Sequence, residues 1–284
     1  MKHSLRLRVG PVGFRIGSDW HGPIDALADL YRDYPQPEVS DFTVRLEAPA
    51  PWRRVVRPTI VLGGDYMVPD AAPLPLRHGL LAAEMAMNLQ VALGHRRHLL
   101  LHAAAVARDD RCMILTGESG AGKSTLAAML MAEGWRLLGD EFVLVDLVSG
   151  AAHPFPRLVS LKNESVTAVT ARLPAARFGP VLEGTPKGTI RHLVPDARAI
   201  AGMDVPAMPV AILFPRFGAA RDVRPMEAGE AFVRLTQAST NYTALGETGF
   251  RALTGLVGRV PAMAIDYPDG ATGVALVEDL WRAR

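Results

Sequence analysis

The chain has 284 residues, of which 49% are hydrophobic and 21% charged, with a net charge of +2 and a single cysteine, Cys112. That length suits one large domain, or one domain with a small accessory lobe, and it can bury a core without staples. The balanced charge argues against a nucleic-acid or membrane-surface protein, and a lone cysteine excludes an internal disulfide, which points to a reducing cytoplasm.

The first residues alternate basic and apolar side chains (Lys2, Arg6, Arg8) and lack the apolar run of a secretory signal. Residues 1–16 read as two short strands joined by a turn at Gly10-Pro11. Pro23–Asp33 has helical spacing, with Ile24, Leu27, Ala28 and Tyr31 on one face. Phe42–Leu46 and Val55–Leu62 read as strands, the second closed by a Gly63-Gly64-Asp65 turn. Pro69–Pro75 is rich in proline and alanine and marks a lobe boundary or linker. The expected organisation is therefore a β-rich N-terminal lobe over 1–75 and a second domain over 76–284. Leu76–Leu93 is helical, with Leu80, Ala83, Met87 and Val91 on one broad face. Leu99–Val106 reads as one buried strand with His102 in its middle, and Cys112–Thr116 as another. None of these apolar stretches spans a bilayer. Ser124–Glu133 is a helix closed by Gly134, and the strands Trp135–Leu138 and Phe142–Leu147 flank Gly139-Asp140-Glu141. Val210–Pro215, Phe250–Val257 and Ala262–Ile265 are the last strong elements before a C-terminal helix, Gly273–Arg282. Strands and helices mix throughout, so the class is α/β.

Gly117-Glu118-Ser119-Gly120-Ala121-Gly122-Lys123-Ser124 matches the phosphate-binding pattern G-x-x-x-x-G-K-[ST], between an apolar strand and a helix. The glycines let backbone N–H groups turn inward around a β-phosphate, and the helix dipole points at the same anion. Lys123 reaches the β- and γ-phosphates, Ser124 is the expected magnesium ligand, and Thr125 lies near the α-phosphate. Such a loop predicts binding of ATP with magnesium. It also needs an acid, to hold the metal or to accept a proton from the nucleophile. Asp140-Glu141 at a glycine turn and Asp146 at the end of an apolar run both qualify, and composition does not choose between them. His102 reads either as a satisfied core histidine or as a group that steadies a catalytic carboxylate.

These residues resemble the catalytic domain of the HPr kinase/phosphorylase family, through its kinase-like relatives. The match runs from about His102 to Val145: a histidine at a strand, the loop Gly117–Ser124, and a close-following acidic pair, Asp140-Glu141. The short interval from Lys123 to Asp140 is distinctive among loop-containing ATPases. The resemblance implies a P-loop nucleotide-binding domain of PEP-carboxykinase-like type behind a β-rich N-terminal lobe. It implies that Asp140 is the catalytic carboxylate, accepting the proton of a serine hydroxyl on a small protein or peptide. By the same resemblance His102 orients that carboxylate, and Glu141 stands with Ser124 and Asp140 near magnesium. Family members assemble into rings, which makes a homo-oligomer an option here.

The second acid is Glu where the family has Asp, and Thr125-Leu126-Ala127-Ala128 replaces an acidic continuation. The downstream glycine-rich signature has its nearest counterpart in Glu183-Gly184-Thr185-Pro186-Lys187-Gly188-Thr189-Ile190-Arg191, where Lys187 and Arg191 could stabilise charge on a transferring phosphoryl group. The altered signature gives no reason to expect phosphorolysis. Lys162 or Glu164 could face the site or simply belong to a turn, and Asn241-Tyr242 could lie in a substrate loop. The four tryptophans read as packing residues. A small-molecule kinase remains an alternative, with Arg172, Arg177, Arg191 and Arg198 as lid arginines, as does a nucleotide-dependent switch ATPase. No N-K-x-D guanine motif is present.

Overall fold

Alternation over the first residues produces the expected hairpin. In the computed structural model, which describes residues 2–67 and 72–284, β1 (His3–Val9) pairs antiparallel with β2 (Val12–Ser18). Helix α1 (His21–Leu30) then crosses over to β3 (Phe42–Glu47), which lies parallel to β2. Strands β4 (Thr59–Gly64) and β5 (Leu74–Pro75) complete a five-stranded sheet in the order β1-β2-β3-β4-β5. The second strand expected in this region begins later than its apolar run. Arg57 has φ 46° and Pro58 follows, so Val55 and Val56 stay exposed outside the sheet. Gly63 and Gly64, read as a turn, are the end of β4. The Pro69–Pro75 linker lies partly outside the described residues.

Helix α2 (Gly79–Gly94) is apolar nearly all round, and it packs on β3, β4 and α1. Sequence reading placed it beyond the lobe boundary, yet its Ala82, Ala83, Ala86 and Met87 share one core with Phe14, Ile16, Leu27 and Val44. Tyr31 donates a hydrogen bond to Glu84 of this helix at 2.9 Å. Glu84 is also ion-paired with Arg157, and both are almost wholly buried.

The run Leu99–Val106 is two strands rather than one. Strand β6 (His98–Leu101) ends at His102, and β7 (Ala103–Arg108) starts in a different sheet. Strand β8 (Arg111–Thr116) leads into α3 (Lys123–Ala132), which Gly134, at φ 88°, helps to end. The chain then repeats the change of sheet: β9 (Arg136–Gly139) pairs with β7, and β10 (Val143–Asp146) pairs with β6. Strand β11 (Ala152–His153) closes a three-stranded sheet, β11-β10-β6.

Beyond it, β12 (Val159–Lys162), α4 (Glu164–Arg172), β13 (Phe178–Thr185) and β14 (Gly188–Leu193) form a second three-stranded sheet with its helix. Helix α5 (Ala197–Ala201) is capped by Asp196, and β15 (Met208–Phe217) follows. Next come β16 (Asp222–Met226), α6 (Ala228–Ala238), α7 (Tyr242–Arg259), β17 (Ala262–Tyr267) and α8 (Gly270–Arg282). The largest sheet has the order β16-β17-β15-β8-β7-β9, with β17, β15 and β8 mutually parallel at its centre. Period-two alternation divides its faces. Ala104, Val106, Met113 and Leu115 meet α3 and α8, while Ala103, Ala105, Cys112 and Ile114 meet α6 and α7. The result is a mixed α/β protein with several sheets, and no described helix is long and apolar enough to cross a membrane.

Candidate phosphate-binding site

Strand β8 is a continuous buried run, as a central strand covered on both faces must be. Its end at Thr116 delivers the chain to the loop Gly117–Gly122, directly before α3. Gly122 has φ 96°, and a Cβ there would lie 2.9 Å from the Tyr267 hydroxyl, so glycine is required on both counts. Gly120, at φ 86°, has nothing within 4 Å of its would-be Cβ, so the crest of the loop is open. The Lys123 ammonium donates to the carbonyls of Gly117 at 2.7 Å and Glu118 at 2.9 Å, which sets a positive charge beneath that crest. Burial lowers the Lys123 pKa, and the charges of Asp140 and Glu141 oppose the shift. Ser124 and Thr125 occupy the first turn of α3, where the helix amides have no partners within the helix.

The other half of the site stands on the seam between two sheets. Both strand pairs that cross from the large sheet to the small one break at the same level, β6/β7 at His102 and β9/β10 at residues 140–142. The breaks release side chains from the ladders toward the loop. Asp140 is 2% exposed, and its Oδ2 has no protein hydrogen-bond partner. Burial pushes the Asp140 carboxyl up to about 7, and the Glu141 charge adds to the rise. The Ser124 hydroxyl, the Lys162 charge and the Ser160 amide pull it the other way. Glu141 has φ 76°, a backbone state that costs a β-carbon residue on the order of 1 kcal/mol or more. His102 Nδ1 lies 3.5 Å from Glu141 Oε2. Burial lowers the His102 pKa, while Glu141 raises it in opposition.

A cavity of about 340 Å³ opens beside these acids. Asp140, Glu141, Ser160, Lys162, Lys187 and His192 contribute to its wall, with Leu81 and Met85 of α2 opposite. Lys187 reaches it from the tip of the β13–β14 hairpin, whose turn is held by Thr185 Oγ1 donating to Gly188 O at 2.7 Å. A much larger hollow of about 920 Å³ lies elsewhere, lined by Arg8, Arg177, Arg198 and Asp204; the Gly117–Thr125 loop lines neither hollow, and it is Asp140 and Glu141 that set the smaller one apart.

Several sequence expectations change here. His102 faces Glu141 rather than Asp140, because Asp140 turns inward to Ser124 and Lys162 while Glu141 stays at the seam. Arg191 is occupied in packing: its Nε donates to Gly179 O at 3.0 Å and its guanidinium covers Phe178. Arg172, Arg177 and Arg198 pair with Glu133, Asp33 and Asp196, so none forms a lid on the Asp140 cavity. Asp146 sits at the far end of β10, its Oδ1 accepting from the amides of Val148 and Ser149. Asn241 is no substrate-loop residue, being 2% exposed and bonded to the backbone at His95, His98 and Leu100. Trp135 is buried in packing, whereas Trp52 is 56% exposed.

Sequence reading missed Glu84, Arg157 and His192, which also line the cavity. One signal was available: Glu84 is a lone charge within the apolar run Leu80–Met87. Such a charge needs a buried partner, and Arg157 supplies it. Nothing local marked Arg157 or His192.

No protein-family model matches the chain, and no curated protein matches it by sequence. Among solved structures it is similar to the HPr(Ser) kinase/phosphatase from Coxiella burnetii, at 15% identity and a TM-score of 0.31, over 65% of this chain and 94% of that one.

Proposed function

We propose that the protein is an ATP- and magnesium-dependent phosphotransferase of the HPr-kinase type, moving the γ-phosphoryl group to a serine hydroxyl of a small protein or peptide. The observation that carries this reading is Asp140. It is a buried carboxylate with an unpartnered Oδ2, next to the first turn after the Gly117–Gly122 loop and open to a cavity that could admit an acceptor. A carboxyl raised to about 7 is well matched to act as a base at neutral pH. Unsatisfied buried polar atoms of this kind gather at functional sites.

In this reading the loop amides and Lys123 hold the β- and γ-phosphates. Asp140 accepts the hydroxyl proton as the acceptor oxygen bonds to the γ-phosphorus and ADP departs. Lys187 and Lys162 flank the cavity as cations for the charge that spreads over the phosphoryl oxygens. His102 holds Glu141 in place at the seam. The donors Ser124, Asp140 and Glu141 are hard oxygens of the kind magnesium takes, and the orphaned Oδ2 fits a ligand role. Magnesium bound there would neutralise phosphate charge. The cytoplasm is the compartment this reading implies.

A small-molecule acceptor is the second reading, because about 340 Å³ lies within the range of metabolite pockets. Incubation with γ-labelled ATP, magnesium and an extract of the source cells separates the two. Label in a protein band as phosphoserine, lost with Lys123→Ala, supports the protein kinase. Label only in small molecules supports the metabolite kinase. Label only as free phosphate removes both and leaves a switch ATPase.

A further inference from the structure

Outside the phosphate-binding site, the described residues contain one further convergence of ligating side chains. His98, Asp146 and His153 come from the three strands of the small sheet, and each offers a donor atom within 4.8 Å of the others. The strand register dictates this meeting. Asp146 is directly opposite His98, and His153 is directly opposite Leu144, two residues before Asp146. Side chains alternate along a strand, so all three project from the same face. That face carries Leu100 and Leu144 into the core shared with the N-terminal sheet.

We propose that His98, His153 and Asp146 bind one divalent transition-metal ion of the zinc class, with His95 as a positioning residue. Two imidazoles and a carboxylate make a borderline nitrogen–oxygen set suited to zinc, with water completing a tetrahedron. Tetrahedral ligands about 2.0–2.1 Å from zinc stand roughly 3.3 Å apart, so closure requires contraction of at most about 1.5 Å. Half-buried His153 and Asp146 have room to supply it.

Supporting contacts are already in place. His95 Nε2 lies 2.8 Å from His98 Nδ1, so with the ion on His98 Nε2 the Nδ1–H would donate to His95 and fix the ring's orientation. Asn241 bonds the carbonyls of both His95 and His98, holding their turn. The hydrogen bonds to Asp146 all fall on Oδ1, from Val148, from the Ser149 amide and from the Ser149 hydroxyl. Oδ2 is thereby the oxygen left to ligate, oriented by its hydrogen-bonded twin. The site joins the far ends of β6 and β10, about 13 Å along the strand from His102. It stands independently of the phosphotransferase reading.

The test uses the full chain stripped with a chelator, without nucleotide or magnesium, and titrated with Co²⁺ and then Zn²⁺. We expect one ion per chain, the visible d–d bands of tetrahedral cobalt, and a melting temperature that rises with zinc. His153→Gln and Asp146→Asn should each weaken binding by about 100-fold or more, and His95→Ala by about 10–100-fold. His3→Gln/His21→Gln, a surface histidine pair elsewhere, should leave it unchanged. Circular dichroism reports whether each variant folds, and Asp146→Asn serves if His153→Gln does not. No uptake by the wild type, or uptake unchanged in folded Asp146→Asn, overturns the site.

Discussion

Asp140 and Asp146 stand at opposite ends of one short stretch of chain, and they live in opposite environments. Asp140 is buried at the seam between two sheets, on the wall of the cavity, with an unpartnered oxygen, and its carboxyl is pushed up to about 7. Asp146 is at an open hairpin where Ser149 donates through both amide and hydroxyl, and its pKa is held below the ordinary carboxylate value. Chain neighbourhood and residue type are the same. Desolvation against hydrogen-bond supply separates an acid raised toward neutral pH from one held below its ordinary value.

The largest expected effect sharpens that contrast at the reaction. Asp140→Asn should lower the single-turnover rate of phosphoryl transfer by about 10²–10⁴-fold while ATP binding, followed by calorimetry, stays within a few-fold. Asp146→Asn should leave the transfer rate within about two-fold. Equal losses in the two variants would end the assignment of Asp140 as the base.

Next in size is the scaffold behind the cavity. Arg157→Met leaves Glu84 buried with only the Tyr31 hydroxyl and no countercharge, and should cost about 3–5 kcal/mol in urea unfolding. The i,i+4 pair Glu247–Arg251 on an exposed helix face should lose less than about 0.5 kcal/mol when broken. A loss as small for Arg157→Met would show that the buried pair does not fasten α2 to the segment leading into β12.

The pH dependence should separate the two aspartates by sign. Asp140 has a folded pKa above its unfolded value of 3.8, so its contribution is fully present below 3.8 and is lost as pH rises toward about 7. Asp146 has a folded pKa below 3.8, so its contribution is present above that value and is lost as pH falls through the folded pKa. Buried His95 and His98, with pKa values lowered to about 3 and 4, add stability as pH rises over the same range, so the comparison is with the variants: the melting temperature of Asp140→Asn relative to wild type should climb between about pH 4 and 7, and that of Asp146→Asn should not. A difference between wild type and Asp140→Asn that stays constant across that window would place Asp140 in water rather than in the seam.

The smallest effect concerns backbone strain. Glu141→Gly relieves the φ of 76° and should raise stability by about 1 kcal/mol while lowering transfer. Strain kept at a site and absent from the rest of the element is what a functional constraint leaves behind. If Glu141→Gly destabilises the protein, the contact with His102 outweighs the strain.

How far the sequence reached depends on the range of the interactions involved. The loop was legible because its chemistry is local: three glycines, a lysine and a serine at set spacing, between an apolar strand and a helix. The first hairpin and the helices α1, α3 and α8 were legible from periodicity within one element. The stretch from β12 to β14 was not, since its strands alternate weakly and find their partners only within a second small sheet. The break at His102 was hidden as well, because the run Leu99–Val106 is apolar on both sides of that histidine and a lone histidine does not announce a change of sheet.

What the sequence by itself determined is the glycine-rich loop between β8 and α3, the mixed α/β class and the short interval from Lys123 to the acidic pair. Tertiary structure alone decided which acid is buried, that His102 meets Glu141, that Lys187 reaches the cavity of Asp140, and that three strands bring His98, Asp146 and His153 together. The physical reason is that a carboxylate's pKa, a histidine's partner and a cluster of ligands follow from desolvation and strand register. Both come from residues far along the chain.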